Sequence, residues 1–289
     1  MADNWVSLAT PANYPGGSTP NSGDAVAYGD YLYYAMGSDG SDPAGLVPGR
    51  RYHLPTDTWA EFDGTPEAMR SHSATCTARL DNIGYWFGNA ASTSGTVKVA
   101  RCDLDTETWL SMGTQKVLGS NTYPFYKYTV CQMGDYAWLF RQDATHRYHL
   151  PTDTWADGFA ARPGTIWCNE AAVVVDDEIW ITGGATGPPG LHSESSVVSI
   201  YKPSTDTWRV GPSLPNPRAQ TRAVSGKNRY IWEYGGVTVT GPQENHWFLD
   251  TEAAVPAWVD KAEAGGTPLQ GPMVIHQGRY FALRFEPSW

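Results

Sequence analysis

Two side chains in this 289-residue chain pair the right chemistry with the right placement to move a proton: His72 and Glu170. An imidazole and a carboxyl form an acid–base pair when both reach one substrate. Five arginines, Arg70, Arg141, Arg218, Arg222 and Arg284, could hold an anionic group beside them. Glu286 adds a carboxyl and Asn169 an amide, while Tyr123, Tyr126 and Trp167, with Phe125 and Tyr128 nearby, could wall an apolar or sugar-binding pocket. A second set, His192-x-Glu194 and Glu244-x-His246, offers two imidazoles and two carboxylates, a donor set that suits a divalent transition metal. Two solvated polar loops explain that set better, since long flexible loops favour them, and neither a metal nor any other cofactor is expected.

All these residues are far apart in the chain, so a repeating element has to gather them. Trp5, Trp59, Trp109, Trp155, Trp208 and Trp258 are spaced by 54, 50, 46, 53 and 50 residues. Four of them close a common turn: Thr56-Asp57-Thr58-Trp59, Thr106-Glu107-Thr108-Trp109, Thr152-Asp153-Thr154-Trp155 and Thr205-Asp206-Thr207-Trp208. Residues 51–60 recur unchanged at 147–156. A period near fifty marks a repeat architecture.

Inside the fourth copy, the apolar run 171–175 is followed by Asp176-Asp177, then Ile179-Trp180-Ile181-Thr182, Gly183-Gly184, a loop, residues 197–202 and the turn. That order predicts four short strands joined by turns. The fifth copy repeats it through 222–225, 230–234, Gly235-Gly236 and 246–249. Strand, Gly-Gly, variable loop, aromatic strand, polar turn and Trp together resemble the kelch repeat, and the resemblance covers almost the whole chain. It implies an all-β, six-bladed kelch-type β-propeller in a single domain. The blades fall near 21–64, 65–120, 121–164, 165–215 and 216–268, with the last made from 269–289 plus 1–15. In that last blade, the strand around Trp5 joins strands near 272–276 and 279–285 and closes the ring, which removes open sheet edges.

Antiparallel strands put the 2–3 loops and the 4–1 connections on one face and the Thr-Asp-Thr-Trp turns on the other. Departures from the repeat gather on the first face. Where two copies have Gly-Gly, the others have Gly37-Ser38, Gly88-Asn89, Arg141-Gln142 and, after Arg284, Phe285-Glu286. The entries to the inner strands bring Arg70-Ser71-His72, Trp167-Cys168-Asn169-Glu170 and 218–222 to the same mouth. Either divergence in solvated loops or a pocket accounts for these residues, and Arg70 and Arg218 also stand where kelch repeats commonly carry an arginine. His53 and His149 occupy one repeat position, which gives them a packing role, and His276 falls towards the turn face. His72, His146, His192 and His246 remain near the mouth.

The net charge of −10 argues against a nucleic-acid backbone or an anionic membrane as partner. Apolar runs such as 171–175 are far too short to span a bilayer, and no leader pattern is present. Cys76, Cys102, Cys131 and Cys168 form no C-x-x-C pair and read as free thiols, from which a cytoplasmic protein is expected. There is no P-loop, Gly-x-Gly-x-x-Gly, Gly-x-Ser-x-Gly or His-Glu-x-x-His. Kelch propellers also include iron-binding plant proteins and a copper enzyme, galactose oxidase. The Glu-x-x-x-Asp-x-x-x-His run of the former is absent here, and no Cys–Tyr spacing picks out the latter.

Two functions stay open. One is a cofactor-independent acid–base enzyme of isomerase or lyase type, handling an anionic, sugar-like or aromatic metabolite, with His72 or Glu170 moving the proton. Sialic acid mutarotase-like kelch propellers resemble this chain in blade number and in an arginine-bearing mouth. The other is a module that captures an acidic protein segment by Arg–carboxylate pairing.

Overall fold

The computed structural model describes residues 24–35, 48–64, 76–89, 96–118, 128–141, 143–164, 166–186, 193–261 and 273–282. Among them, every regular element is a strand. The first sheet is β1 (Asp24–Tyr28), β2 (Tyr31–Ala35), β3 (Pro48–His53) and β4 (Thr58–Gly64). The second is β5 (Cys76–Leu80), β6 (Ile83–Asn89), β7 (Thr96–Asp103) and β8 (Thr108–Trp109), with β9 (Lys116–Val117) added to β7. The third runs β10 (Thr129–Met133), β11 (Tyr136–Phe140), β12 (Thr145–His149) and β13 (Thr154–Phe159). The fourth holds β14 (Ile166–Val175), β15 (Glu178–Thr186), β16 (Ser193–Glu194), β17 (Val198–Lys202) and β18 (Thr207–Val210), with β16 off the main path. The fifth is β19 (Arg222–Gly226), β20 (Tyr230–Tyr234), β23 (His246–Asp250) and β24 (Trp258–Lys261), and its 2–3 loop carries the small hairpin β21 (Val237–Thr238) and β22 (Gly241–Pro242). The sixth is the pair β25 (Met273–His276) and β26 (Arg279–Ala282).

Each of the first five sheets has a path of four strands in sequence order, the blade pattern that the repeat predicts. Among the described residues the four-stranded blades therefore number five, against the six expected. The sixth sheet has its two expected inner strands, and the segment around Trp5 that was to complete it lies outside the described residues.

The turns explain themselves residue by residue. Asp57, Glu107, Asp153 and Asp206, the second residue of each Thr-Asp/Glu-Thr-Trp turn, all have positive φ between 52° and 56°. Short polar side chains tolerate that conformation best, and Asp predominates there. The Asp206 carboxylate accepts from the Tyr201 hydroxyl at 2.7 Å and the Ala160 amide at 2.8 Å. Trp155, Trp208 and Trp258 each donate their indole N–H to a backbone carbonyl from the preceding connection, at Thr114, Ala160 and Pro212. The turn tryptophans are half-buried wedges. Trp109 lies 5.2 Å from Trp86 and 6.0 Å from Phe62, between the second and first sheets.

The chain divides into two compact units. Of the described residues, one unit takes 24–118 and the turn 149–155, and the other takes 128–148 and 156–282. In the second unit, β14 packs beside β10 and β19, and β19 packs beside β25, so first strands lie next to first strands. Both faces of the fourth blade are buried. Ala172, Val174, Ile179, Ile181 and Tyr201 meet Cys131, Trp138 and Phe140 of the third blade. Val173, Val175, Trp180, Val198 and Ile200 meet Ile231, Trp247 and Leu249 of the fifth.

Candidate functional site

The two buried seams on either side of the fourth blade both turn polar at their mouth ends. Strand alternation places Glu170 on the face towards the third blade, two residues before Ala172, and Ser199 on the same face opposite Ile181. Arg162, from the connection between β13 and β14, ties these strands together. Its guanidinium pairs with the Glu170 carboxylate, and its Nε donates to the Ser199 hydroxyl at 3.1 Å. The paired side chains are 3% and 5% exposed.

Across the fourth blade, Thr182 shares a face with Trp180 and points to the fifth blade. There the register of β19, β20 and β23 puts Ala223, Glu233 and Trp247 side by side, with Thr221 just before the strand. Thr182, Thr221 and Glu233 are fully buried. Both Glu233 carboxyl oxygens and both threonine hydroxyls lack a hydrogen bond of standard geometry. The hydroxyls are nevertheless close enough to favour the charged carboxylate, as does Arg218. Burial outweighs all three and pushes the Glu233 pKa up to about 7.

Arg218 is spoken for. Its guanidinium lies 3.6 Å from the centre of the Trp247 ring and donates to the Gly235 carbonyl at 2.9 Å, the Asn245 carbonyl at 3.0 Å and the Asn245 side-chain oxygen at 2.6 Å. Its own carbonyl accepts from the Gly184 amide at 2.8 Å, and its amide donates to the Ser195 carbonyl. The Gly-Gly pairs serve this stitching. A Cβ on Gly183 would come within 2.8 Å of the Arg218 carbonyl, and one on Gly236 within 2.7 Å of the Ala219 carbonyl, at φ of +67° and +85°. Burial pulls the Arg218 pKa down to about 10, against the opposing pull of Glu233 and Asp260.

The other expected site residues separate into three groups. Arg222 sits half-buried at the mouth end of β19 and donates to the Thr221 carbonyl at 3.1 Å; among the described residues it makes no ion pair. Arg141 is buried and pairs with Asp143 at 3.2 Å. Glu194 lies in β16 opposite Ala185, and Glu244 is half-buried in the 2–3 loop of the fifth blade. His246 is buried within β23, stacked 5.7 Å from Tyr234. His72, Arg70, Tyr123, Tyr126, His192, Arg284 and Glu286 lie outside the described residues, as do the side chains of Trp167 and Asn169. Among the described residues, no three His, Cys, Asp or Glu side chains cluster as metal ligands would.

Glu170 departs from its expected setting, because β14 begins at Ile166 and not near 171. A register shift between Ile166 and Cys168 carries the strand through the entry segment, so Glu170 is a strand residue opposite Gly183. Sequence reasoning missed Arg162, which lies in the irregular stretch before that shift. It also missed Glu233, whose signal was present: aligned on Gly-Gly, Glu233 occupies the position of Ile181.

Blades of four antiparallel strands define the class, an all-β propeller, and its Gly-Gly pairs and Trp-ending polar turns are similar to the kelch repeat. Residues 167–215 match the family described as Kelch motif. The chain is similar to the solved structure of YjhT, with 15% identity and a TM-score of 0.65 over 90% of this chain and 88% of that one. At that identity the likeness shows the fold. A comparison with curated proteins finds no match. Among the described residues, no helix is long and apolar enough to cross a membrane.

Proposed function

We propose that this propeller binds an anionic small molecule at its mouth and acts on it as a cofactor-independent acid–base enzyme of isomerase or lyase type. Arg222 carries the reading. It stands at the mouth end of an inner strand, half-exposed, with a single donor engaged by a neutral carbonyl among the described residues. A guanidinium with free donors suits a carboxylate or another planar anion. Arg141, Arg162 and Arg218 are already engaged by protein groups, which leaves Arg222 as the anchor among the described arginines at this end. Proton transfer falls to His72 together with Glu170, whose carboxylate Arg162 holds in one place. Opening and reclosing a sugar ring, or eliminating a group next to a carboxylate, needs no more than a positioned acid and base.

The test is a thermal-shift screen of acidic sugars and aromatic carboxylates on the wild type and Arg222→Ala. A ligand that binds only the folded state raises the melting temperature, and the shift should vanish in the variant. Hits are then followed by NMR for interconversion, where His72→Ala or Glu170→Gln should slow turnover by roughly 10²–10⁴-fold. Equal shifts in wild type and variant would remove Arg222 from the site. Binding without turnover, displaced by an acidic peptide, would favour the alternative, a module that recognises an acidic partner segment.

A further inference from the structure

Among the described residues, every non-glycine residue with positive φ but one lies in a tight turn between two paired strands. The exception is Gln220, at a φ of 57° in the connection from β18 to β19. That conformation suits glycine, and after it Asn and Asp, and it strains a longer side chain. The strain is imposed from both sides. Before Gln220, the Arg218 amide donates to the Ser195 carbonyl at 3.0 Å, and Ala219 and Val237 exchange amide-to-carbonyl bonds at 3.1 and 2.8 Å. After it, Thr221 is buried and Arg222 opens β19 opposite Tyr234. Gln220 makes the bend between these two anchored stretches. The fourth blade needs no such bend, because β14 runs on as strand from Ile166. Glycine would turn the chain at Gln220 without strain. The residue present is a glutamine, exposed at the mouth, whose side chain makes no hydrogen bond among the described residues.

We propose that Gln220 is a specificity-determining contact, whose amide pairs with a hydroxyl standing beside the anionic group that Arg222 holds. The inference rests on the reading of Arg222 as the anchor. Gln220 and Arg222 flank the buried Thr221 on one clamped segment, so both side chains start from a fixed backbone at the same end of the blade. A guanidinium only donates, and takes a bare carboxylate as readily as a hydroxylated one. An amide both donates and accepts, as a hydroxyl does, and so can read the group next to the charge. Because the backbone is already held, binding has only the glutamine rotamer left to fix. The ligand class is therefore an anion hydroxylated next to its charged group, preferred over the same anion without the hydroxyl, which would leave the amide unpaired.

Mandelate and phenylacetate are suitable probes, since they share a ring and a carboxylate and differ by one hydroxyl beside it. Both are titrated by NMR into wild type, Gln220→Gly, Gln220→Met and Arg222→Ala. Wild type should bind mandelate about 3- to 10-fold more tightly than phenylacetate, the worth of one neutral hydrogen bond. Gln220→Gly and Gln220→Met should bind the two equally. Melting separates the site from the scaffold: Gln220→Gly should melt at or above the wild-type temperature, because glycine relieves the left-handed strain. A lower melting temperature in that variant would make the glutamine a structural residue and overturn the proposal. So would the absence of mandelate binding to wild type, equal affinities in wild type, or a preference that survives in both Gln220 variants. Mandelate held as tightly by Arg222→Ala as by wild type would remove the anchor itself. Mandelate lost from Arg222→Ala, with its preference intact in the Gln220 variants, would refute the amide contact alone.

Discussion

Replacing Arg162 by Met should cost this protein about 3–5 kcal/mol, the usual cost of orphaning one member of a buried ion pair. The structure puts the pair at the severe end of that range. Both side chains are almost wholly out of solvent, so Glu170 would keep a charge with no cation, and the Ser199 hydroxyl would lose the Nε that now donates to it at 3.1 Å. Glu170→Leu alone should cost a similar amount, by leaving the guanidinium with Ser199 only. The double variant, Arg162→Met with Glu170→Leu, should recover most of the loss, because well-packed apolar residues often replace a buried pair at little net cost. Urea unfolding followed by tryptophan fluorescence and by far-UV circular dichroism gives the three values, provided the two probes coincide. If Arg162→Met costs less than about 1 kcal/mol, or the two single losses simply add, the pair does not lock the inner strand of the fourth blade.

Three further outcomes follow from particular contacts. Raising the Glu233 pKa from 4.5 to about 7 penalises folding by about 3 kcal/mol once the pH exceeds 7; the favourable balance is intact below 4.5 and lost as pH rises through 7. Stability curves of Glu233→Gln from pH 4.5 to 8 should therefore gain on the wild type with rising pH, and parallel curves would contradict the burial argument. Trp109→Ala should cost about 2–3 kcal/mol, below the value for a wholly buried ring, since Trp109 is half-buried against Trp86 and Phe62; denaturant midpoints measure it, and a ligand-binding defect without a stability loss would mean the turn face is misassigned. Arg218→Ala should lower the melting temperature markedly while Arg222→Ala leaves it within a degree or two, because Arg218 alone is stacked and bonded to Gly235 and Asn245; the reverse order in a melting experiment would exchange their roles.

The repeat was legible because each copy obeys local chemistry. An Asp or Glu at positive φ before Thr-Trp, and Gly-Gly where backbone approaches backbone, can be read without neighbours. The seams were not legible, because a blade buries both of its faces. In Tyr230-Ile231-Trp232-Glu233-Tyr234 the glutamate alternates like a solvent-facing strand residue, yet the face it occupies is covered by the fourth blade. The pairing of Arg162 with Glu170 was hidden for another reason: the register shift near Ile166 lengthens the inner strand and breaks the alignment that would have paired them. Arg218 lies in the connection before β19, but its acceptors Gly235 and Asn245 lie in the next loop of its own blade, a contact that spacing does not reveal.

A crystal structure of the protein with the best anionic hit from the ligand screen tests the proposed site most directly. The ligand's carboxylate or other anionic group should lie within hydrogen-bond distance of the Arg222 guanidinium, at the mouth end of β19. A ligand bound among the Thr-Asp-Thr-Trp turns, or at the mouth with its anionic group turned away from Arg222, would contradict it.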